Sequence, residues 1–301
     1  MVEKSGLAII NADEARAVAL RESFKGITMS IAIDHEADLT AAEIDFAFEP
    51  RVGLPTDDET VVSGETVAGD AAAQQQSAPT TRAAGLRFKY HYQGSVVPVF
   101  IPGVIGRPTV YSALFATAVG LQYDMNLIEI SAALKQYQPP RGRLRVLAGC
   151  NAATLIDDTY NASPAAVKEA VTTLQHLTTP GRKLVCLGKM AELGKSAKAA
   201  HTAIGKIVAQ AGVDRLLVVG DAGAIIAQAA IQAGLPEEAV QRYTDSQTAG
   251  TALAEQLQSH DVVLIKGSQI ARMEKTVKAC LAQPELAAEV LVRQYGNWEK
   301  V

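Results

Sequence analysis

The second half of the chain alternates short apolar runs with longer segments of helical spacing. The runs at 154–156, Lys183–Leu187, Arg215–Val219 and 262–265 are rich in Leu, Ile and Val, as buried strands are, and a weaker one falls at Val240–Tyr243. Between them, Ala-rich segments at 163–177, 197–211, 222–233 and 246–258 carry apolar residues three and four apart. A last helix is expected at about 270–281. Strand alternating with helix predicts βαβ units and a parallel sheet covered on both faces. Right-handed crossovers make that a doubly wound, Rossmann-like α/β domain with a mostly parallel sheet. Ligands of such sheets sit beyond the carboxyl ends of the strands. The loops at 157–161, 188–194, 220–221, 245 and 266–268 are therefore the places to look for chemistry.

The first half is less regular. A strand at 6–10 ends at Asn11, a helix is expected at 13–23, and a strand follows at 27–33. Strands at 86–92 and 96–101 flank the turn Gln93-Gly94-Ser95. Two helices are expected at 111–123 and 127–137. Gln138-Pro139-Pro140 ends the second, because proline cannot continue a helix. That break sets the expected boundary between a first α/β domain at 1–140 and the Rossmann-like domain at 141–301. The stretch at 65–85, rich in Ala, Gln, Thr and Gly, cannot bury much apolar surface and reads as a flexible insertion.

Composition narrows the function classes without choosing one. Of the 301 residues 48% are hydrophobic and 20% charged, as in a globular protein. The net charge is −4 and no run of Lys and Arg stands out, which argues against nucleic acid as a partner. Cys150, Cys186 and Cys280 are too few and too far apart for a disulfide framework or a metal-ligand cluster, which fits a reducing compartment. No apolar stretch approaches the roughly 18 residues of a membrane helix. The N-terminal apolar run is too short for a signal peptide. A cytoplasmic location is the expectation.

The most informative stretch is Leu155-Ile156-Asp157-Asp158-Thr159-Tyr160-Asn161-Ala162-Ser163-Pro164. A buried strand delivers two carboxylates, a phenol and an amide to the loop before a helix. Ser163 can cap that helix, with Pro164 in its first turn. The residue types alone leave a second reading open, since Asp and Asn are common in turns and Ser-Pro is a common helix start. Gly188-Lys189-Met190-Ala191-Glu192-Leu193-Gly194-Lys195-Ser196 looks superficially like a phosphate-binding loop. Its first glycine is one residue too far from Gly194, and Glu192 would repel phosphate.

These strings, in order, resemble the Mur ligases of peptidoglycan synthesis, and among them the branch that adds D-alanyl-D-alanine. The 157–164 string is similar to that branch's D-D-T-Y-N-A-N-P. Pro140-Arg141-Gly142-Arg143-Leu144 resembles the linker before its C-terminal domain. The 188–194 string resembles G-D-M-x-E-L-G, and His201 with Gly205 fits the H-x-x-x-G that follows. Lys266-Gly267-Ser268 with Met273-Glu274 is similar to K-G-S-R…M-E. More weakly, the segment from Gly6 to Asp13 looks like the strand and N-A-D turn of the family's central domain. The resemblance thus implies a partial central domain followed by the C-terminal domain. It implies an ATP- and Mg²⁺-dependent ligase that activates a carboxylate of a UDP-muramoyl peptide as an acyl phosphate, which the amine of D-Ala-D-Ala attacks.

By the same resemblance Arg143 would face the nucleotide phosphates and Asp158 the ribose, with Tyr160 and Asn161 shaping the same cleft. Ser163, Glu192, Lys266, Gly267 and Ser268 would line the dipeptide side, and Lys266 and His201 are the catalytic candidates, with no complete catalytic set and no metal ligand. Simpler readings stay open: Arg143 in a linker salt bridge, Glu192 as a solvated loop charge, His201 as a packed or exposed helix residue.

The departures from the family pattern point one way. No G-x-x-x-x-G-K-[ST] loop occurs in the 301 residues. Thr109 and Ser112 stand where asparagines would meet adenine, Lys189 where the family has Asp, Gln269 where K-G-S-R has Arg, and Ser163 where it has Asn. The expectation is a truncated bacterial ligase part, not active alone, that needs a separate chain with the phosphate loop and UDP-substrate domain. The rival expectation is a non-catalytic Mur-like binding or interaction module.

Overall fold

The computed structural model describes residues 6–47, 85–296 and 298. The stretch at 65–85 lies outside them, save Gly85, which begins a strand.

The first half builds a five-stranded sheet from β1 (Leu7–Asn11), β2 (Ile27–Ala32), β3 (Leu39–Ala47), β4 (Gly85–Tyr92) and β5 (Ser95–Pro102). They lie side by side in chain order. β1, β2 and β3 run parallel, and β3, β4 and β5 antiparallel. Beside them are α1 (Ala15–Ser23), α2 (Arg107–Gln122) and α3 (Leu127–Leu134). Ile31, Leu39, Leu86 and Ile101 pack against Val110 and Leu114 of α2 in one core. Tyr90 is fully buried there, and its hydroxyl oxygen accepts a hydrogen bond from Thr117 Oγ1 at 2.7 Å. β3 was not expected. Its sequence, Leu-Thr-Ala-Ala-Glu-Ile-Asp-Phe-Ala, is weak in strand formers, and its register on β4 shifts between Ala42 and Asp45. α2 begins four residues before its expected start because Pro108 sits in its first turn, after Gly106 at φ 94°.

The second half is a six-stranded sheet of β6 (Arg145–Ala148), β7 (Thr154–Asp158), β8 (Lys183–Leu187), β9 (Arg215–Val219), β10 (Val240–Tyr243) and β11 (Val262–Lys266). Their order is β10-β9-β8-β11-β7-β6, all parallel except the edge strand β6. This is the Rossmann-like α/β arrangement expected from the strand–helix rhythm. One face packs under α4 (Pro164–His176), α5 (Ala197–Gln210) and α6 (Gly220–Gln232). Val171, Val208 and Ile226 meet Ile156, Val185 and Leu264 there. The other face packs under α7 (Ser246–Gln256) and α8 (Glu274–Cys280), through Leu253 and Val277 against Leu155 and Ile265. The helix expected at 270–281 starts late. Residues Gln269–Ala271 form a 3-10 turn and Arg272 is left-handed, at φ 52°. A short α9 (Ala287–Val290) follows.

β11 returns to lie between β8 and β7. Chain connections leave in opposite directions around that point, so a crevice opens at the carboxyl ends of these strands.

Candidate functional site

Register decides what meets at that crevice. Lys266 at the end of β11 is paired with Asp158 of β7 on one side and Leu187 of β8 on the other. Alternation along a strand puts Asp158 on the face of Ile156, and Lys266 on the face of Leu264, both toward α4. Lys266 Nζ lies 2.6 Å from Asp158 Oδ2, with the two side chains 2% and 9% exposed. The ammonium also donates to Asn161 O at 2.8 Å and Asp158 O at 3.4 Å, which engages its three protons. Asp158 Oδ1 accepts from the Leu144 amide at 3.3 Å, tying β7 to the linker.

Asp157 points to the opposite face and is fully buried. Its Oδ1 accepts from the amide and hydroxyl of Thr159, at 3.2 and 2.6 Å. Its Oδ2 has no partner among the described residues. Burial pushes this carboxyl up to about 6, and the Thr159 hydrogen bonds only partly oppose it.

The loop after β8 is zipped to the loop after β11. Gly188 N donates to Lys266 O at 2.9 Å, and Ser268 N to Lys189 O at 2.8 Å. Gly267 has to be glycine: a Cβ there would lie 2.5 Å from Met273 Cγ. Ser268 is buried, with its hydroxyl unpartnered among the described residues. His201 is 1% exposed. Its Nε2 accepts from the Met190 amide at 3.0 Å, so the proton sits on Nδ1, which donates to Ala197 O at 2.7 Å. Both ring nitrogens of His201 are thus engaged, and the residue fastens the 188–194 loop to α5, as in the packed reading of that position. Glu192 is exposed on that loop at φ 62°. Ser163 caps α4, its Oγ accepting from Ala166 N at 3.3 Å.

A cavity of about 380 Å³ lies between the two sheets. α2 contributes Pro108, Thr109 and Ser112. The linker contributes Arg143 and Leu144, α4 contributes Ala166 and Glu169, and the strand ends contribute Asp158 and Lys266. Of the expected site residues it gathers Arg143, Asp158 and Lys266, together with the Thr109 and Ser112 positions. Tyr160 stands at its edge, its ring 4.2 Å from the Arg143 guanidinium carbon. Asn161 is exposed and its Oδ1 accepts from Ala162 N at 2.8 Å. Ser163, Glu192, His201, Gly267 and Ser268 lie outside the lining. Glu169 was not foreseen, although its place three residues after Ala166 puts it on the same face of α4. Thr109 Oγ1 donates to Ile105 O at 3.2 Å and Ser112 Oγ to Pro108 O at 3.0 Å, so both hydroxyl protons go to carbonyls four residues back in the chain.

With Lys266 closed into its ion pair, Arg143 is the lining cation still open to an anion: it is exposed and stacked on Tyr160, with no carboxylate partner among the described residues. A nucleoside end with one phosphate contact suits this lining in size and charge. Among the described residues no group of three His, Cys, Asp or Glu is placed to hold a metal ion. The thiols offer no nucleophile. Burial pushes Cys186 up to about 12 and Cys280 higher still, and half-buried Cys150 is raised too. Among the described residues no helix is long and apolar enough to cross a membrane.

Residues 142–269 match the family described as Mur ligase, glutamate ligase domain. Three curated relatives carry the name UDP-N-acetylmuramoyl-tripeptide–D-alanyl-D-alanine ligase. The one from Bacillus subtilis is 29% identical over 185 residues, 62% of this chain and 40% of the relative. That from Mycobacterium tuberculosis is 29% identical over 300 residues, 93% and 52% of the two chains. That from Escherichia coli is 32% identical over 197 residues, 65% and 41%. Among solved structures, MurF from Acinetobacter baumannii superposes with a TM-score of 0.66 at 23% identity, covering 91% of this chain and 51% of the other. MurF from Thermotoga maritima, in complex with ADP, gives 0.66 at 17%, covering 92% and 53%. The structural likeness bears on fold alone, and the chain spans about half the length of the curated relatives it matches. Residues 142–269 are thus similar to a Mur ligase C-terminal domain, and the chain resembles MurF ligases in sequence and in fold.

Proposed function

We propose that this chain is the acceptor-side half of an ATP-dependent ligase that joins D-Ala-D-Ala to a UDP-N-acetylmuramoyl peptide, and that its cavity takes the nucleoside end of ATP. The observation that carries the reading is the joint lining: Arg143, Asp158 and Lys266 from the second sheet face Thr109 and Ser112 of α2 across one 380 Å³ space. Two regions distant in sequence thereby meet at the switch point where α/β sheets bind ligands. In this reading the division near residue 140 separates a central-domain portion from the acceptor domain, and the cleft between them is the nucleotide site.

The roles follow from what each side chain has left to offer. Arg143 supplies the mobile positive charge for phosphate oxygens. Asp158 is fixed by Lys266 and Leu144 N, with remaining lone pairs available to ribose hydroxyls. Lys266 holds the 157–161 loop in shape, and its charge lowers the electrostatic cost of negative charge in the cleft. Activation of a carboxylate requires a phosphate-binding loop and Mg²⁺ ligands that these residues do not provide. Residues 1–301 by themselves would bind nucleotide and dipeptide without turnover.

Calorimetric titration with ATP-Mg²⁺, ADP and D-Ala-D-Ala tests this. Saturable binding of ADP that is lost in Arg143→Met supports the nucleotide cleft, and dipeptide binding supports the acceptor half. No binding of any of the three rejects both.

A second reading has its own support. The closed Lys266–Asp158 pair and the replaced adenine-side asparagines are what a Mur-like module that binds a partner without catalysis would carry. In that case ADP would not bind the cavity at any concentration tested.

A further inference from the structure

We infer that Arg293, in the C-terminal tail, is a positioning residue for the cavity's open cation: it fixes the backbone of Tyr160, whose ring holds Arg143 at the cavity wall. Arg293 lies beyond the 142–269 span of the family match, and no motif in the sequence singles it out.

Arg293 is almost fully buried, its side chain 6% exposed. Its Nη2 donates to Thr159 O at 2.5 Å and its Nη1 to Tyr160 O at 3.2 Å. The planar fork thus spans two successive carbonyls of the 157–161 loop, a geometry a lysine cannot copy. Tyr160 is gripped from the other side as well, since its amide donates to Gly142 O at 3.0 Å. The Tyr160 backbone is therefore pinned between linker and tail, and the direction of its ring follows. That ring lies 4.2 Å under the Arg143 guanidinium, one residue along from Gly142.

The tail is itself anchored. Glu274, fully buried at the start of α8, pairs with Arg293 Nη2 at 2.8 Å through Oε2 and with Arg272 Nε at 2.5 Å through Oε1. Arg272 Nη2 donates to Trp298 O at 2.8 Å, and both guanidinium groups lie over the Trp298 ring, at 5.2 and 5.9 Å. Arg141 and Arg145, flanking Arg143, donate to Leu291 O at 3.4 Å and Val290 O at 3.3 Å. Arg293 itself sits at φ 56°, a left-handed conformation disfavoured for a residue with a side chain, and these bonds hold it there. Linker, loop and tail thus form one hydrogen-bonded unit. Arg143 is the member whose guanidinium stacks on a ring at the cavity instead of bonding into it.

The inference rests on the nucleotide reading only for its ligand arm, so two readouts keep the two apart. On the full chain, the side-chain Nε–H resonance of Arg143 is assigned by its loss in Arg143→Met, and its ring-current shift is calibrated with Tyr160→Leu. In Arg293→Met that resonance should move to the Tyr160→Leu position. The dissociation constant of ADP should rise about tenfold in Arg293→Met, and less than about twofold when Arg143→Met is already present, the signature of coupled sites. Should Arg293→Met fail to fold, Arg293→Lys keeps the charge and should still shift the resonance part of the way. An unmoved Arg143 resonance in the folded variant overturns the inference, as does an equal loss of ADP affinity with and without Arg143. Absence of ADP binding in the wild-type chain rejects the nucleotide reading instead, and the resonance alone then decides the role of Arg293.

Discussion

Lys266 and Asp158 stand opposite each other across neighbouring parallel strands, Nζ 2.6 Å from Oδ2, with both side chains out of water. The pair exists because β11 is inserted between β8 and β7, which brings residues 108 positions apart into register. Removing one charge strands the other in the interior. Lys266→Met or Asp158→Asn should lower unfolding free energy by about 3–5 kcal/mol, whereas the apolar double replacement Lys266→Met with Asp158→Leu should recover most of that loss. Urea unfolding of the three variants checks this, and an additive double variant would contradict it.

Asp157 gives stability an acid optimum of its own. Its carboxyl is raised by burial to about 6, so between about pH 4 and 6 the folded chain holds a proton that the unfolded chain has released. Stability contributed by that proton is present at low pH and declines as pH rises through 6. Asp157→Asn should remove the decline and leave the variant about 1–3 kcal/mol more stable than wild type, relative to their difference at pH 4, once the pH is above 6. Thermal melts at pH 4.5 and 7.5 read the difference.

Asp13 behaves in the opposite sense. Burial works against its ionised form, but hydrogen bonds from Ile33 N, His35, Tyr111 and Asp34 N outweigh it and hold the carboxyl below its usual range. Its contribution is present above the unfolded value near 4 and is lost as pH falls through the lower folded value. Tyr111→Phe deletes one of those bonds, at 2.8 Å, and should cost about 1 kcal/mol at neutral pH and less in acid. Equal destabilisation at pH 3 and pH 7 would argue against this account.

His201 is predicted to act through the fold. His201→Phe leaves the Met190 amide without its acceptor and should destabilise by about 1–3 kcal/mol. Hydrogen exchange at Met190 should accelerate, while ADP affinity stays within about twofold of wild type, as expected for a residue outside the cavity. A large loss of affinity without loss of stability would restore it as a functional candidate.

Thr109 and Ser112 test the base end of the cavity. Each hydroxyl donates to the carbonyl four residues back, so neither presents the paired donor and acceptor of an amide. Thr109→Asn with Ser112→Asn should tighten ADP binding by about tenfold. Calorimetry on the double variant decides the matter, and weaker binding would show that the cavity does not receive adenine there.

The strand–helix rhythm of the second half was legible because parallel strands buried on both faces read as continuous apolar runs, as at Lys183–Leu187 and Arg215–Val219. β3 and β6 were not. β3 carries three Ala and two acidic residues among its nine and is held by its neighbours, and β6 is a four-residue antiparallel edge. Asp158, Arg143 and Lys266 could be picked out by their strings, but their mutual contacts depend on strand order, which no local pattern encodes. His201 shows the same limit: the string places it on a helix after the loop, and only the tertiary fold turns its Nε2 onto Met190 N. Arg293 follows a run of ordinary tail residues, and its importance is visible only where its fork meets the carbonyls of Thr159 and Tyr160.

The cavity draws its walls from both sheets, with Thr109 and Ser112 on one bank and Asp158 and Glu169 on the other. A small molecule lodged there behaves as a rivet. At a hundred times its dissociation constant it would add about 2.7 kcal/mol to whichever arrangement keeps both banks in place. Differential scanning calorimetry would register this as two melting steps drawing together into one, so an occupant of this space can be found by heat alone, before its chemistry is known.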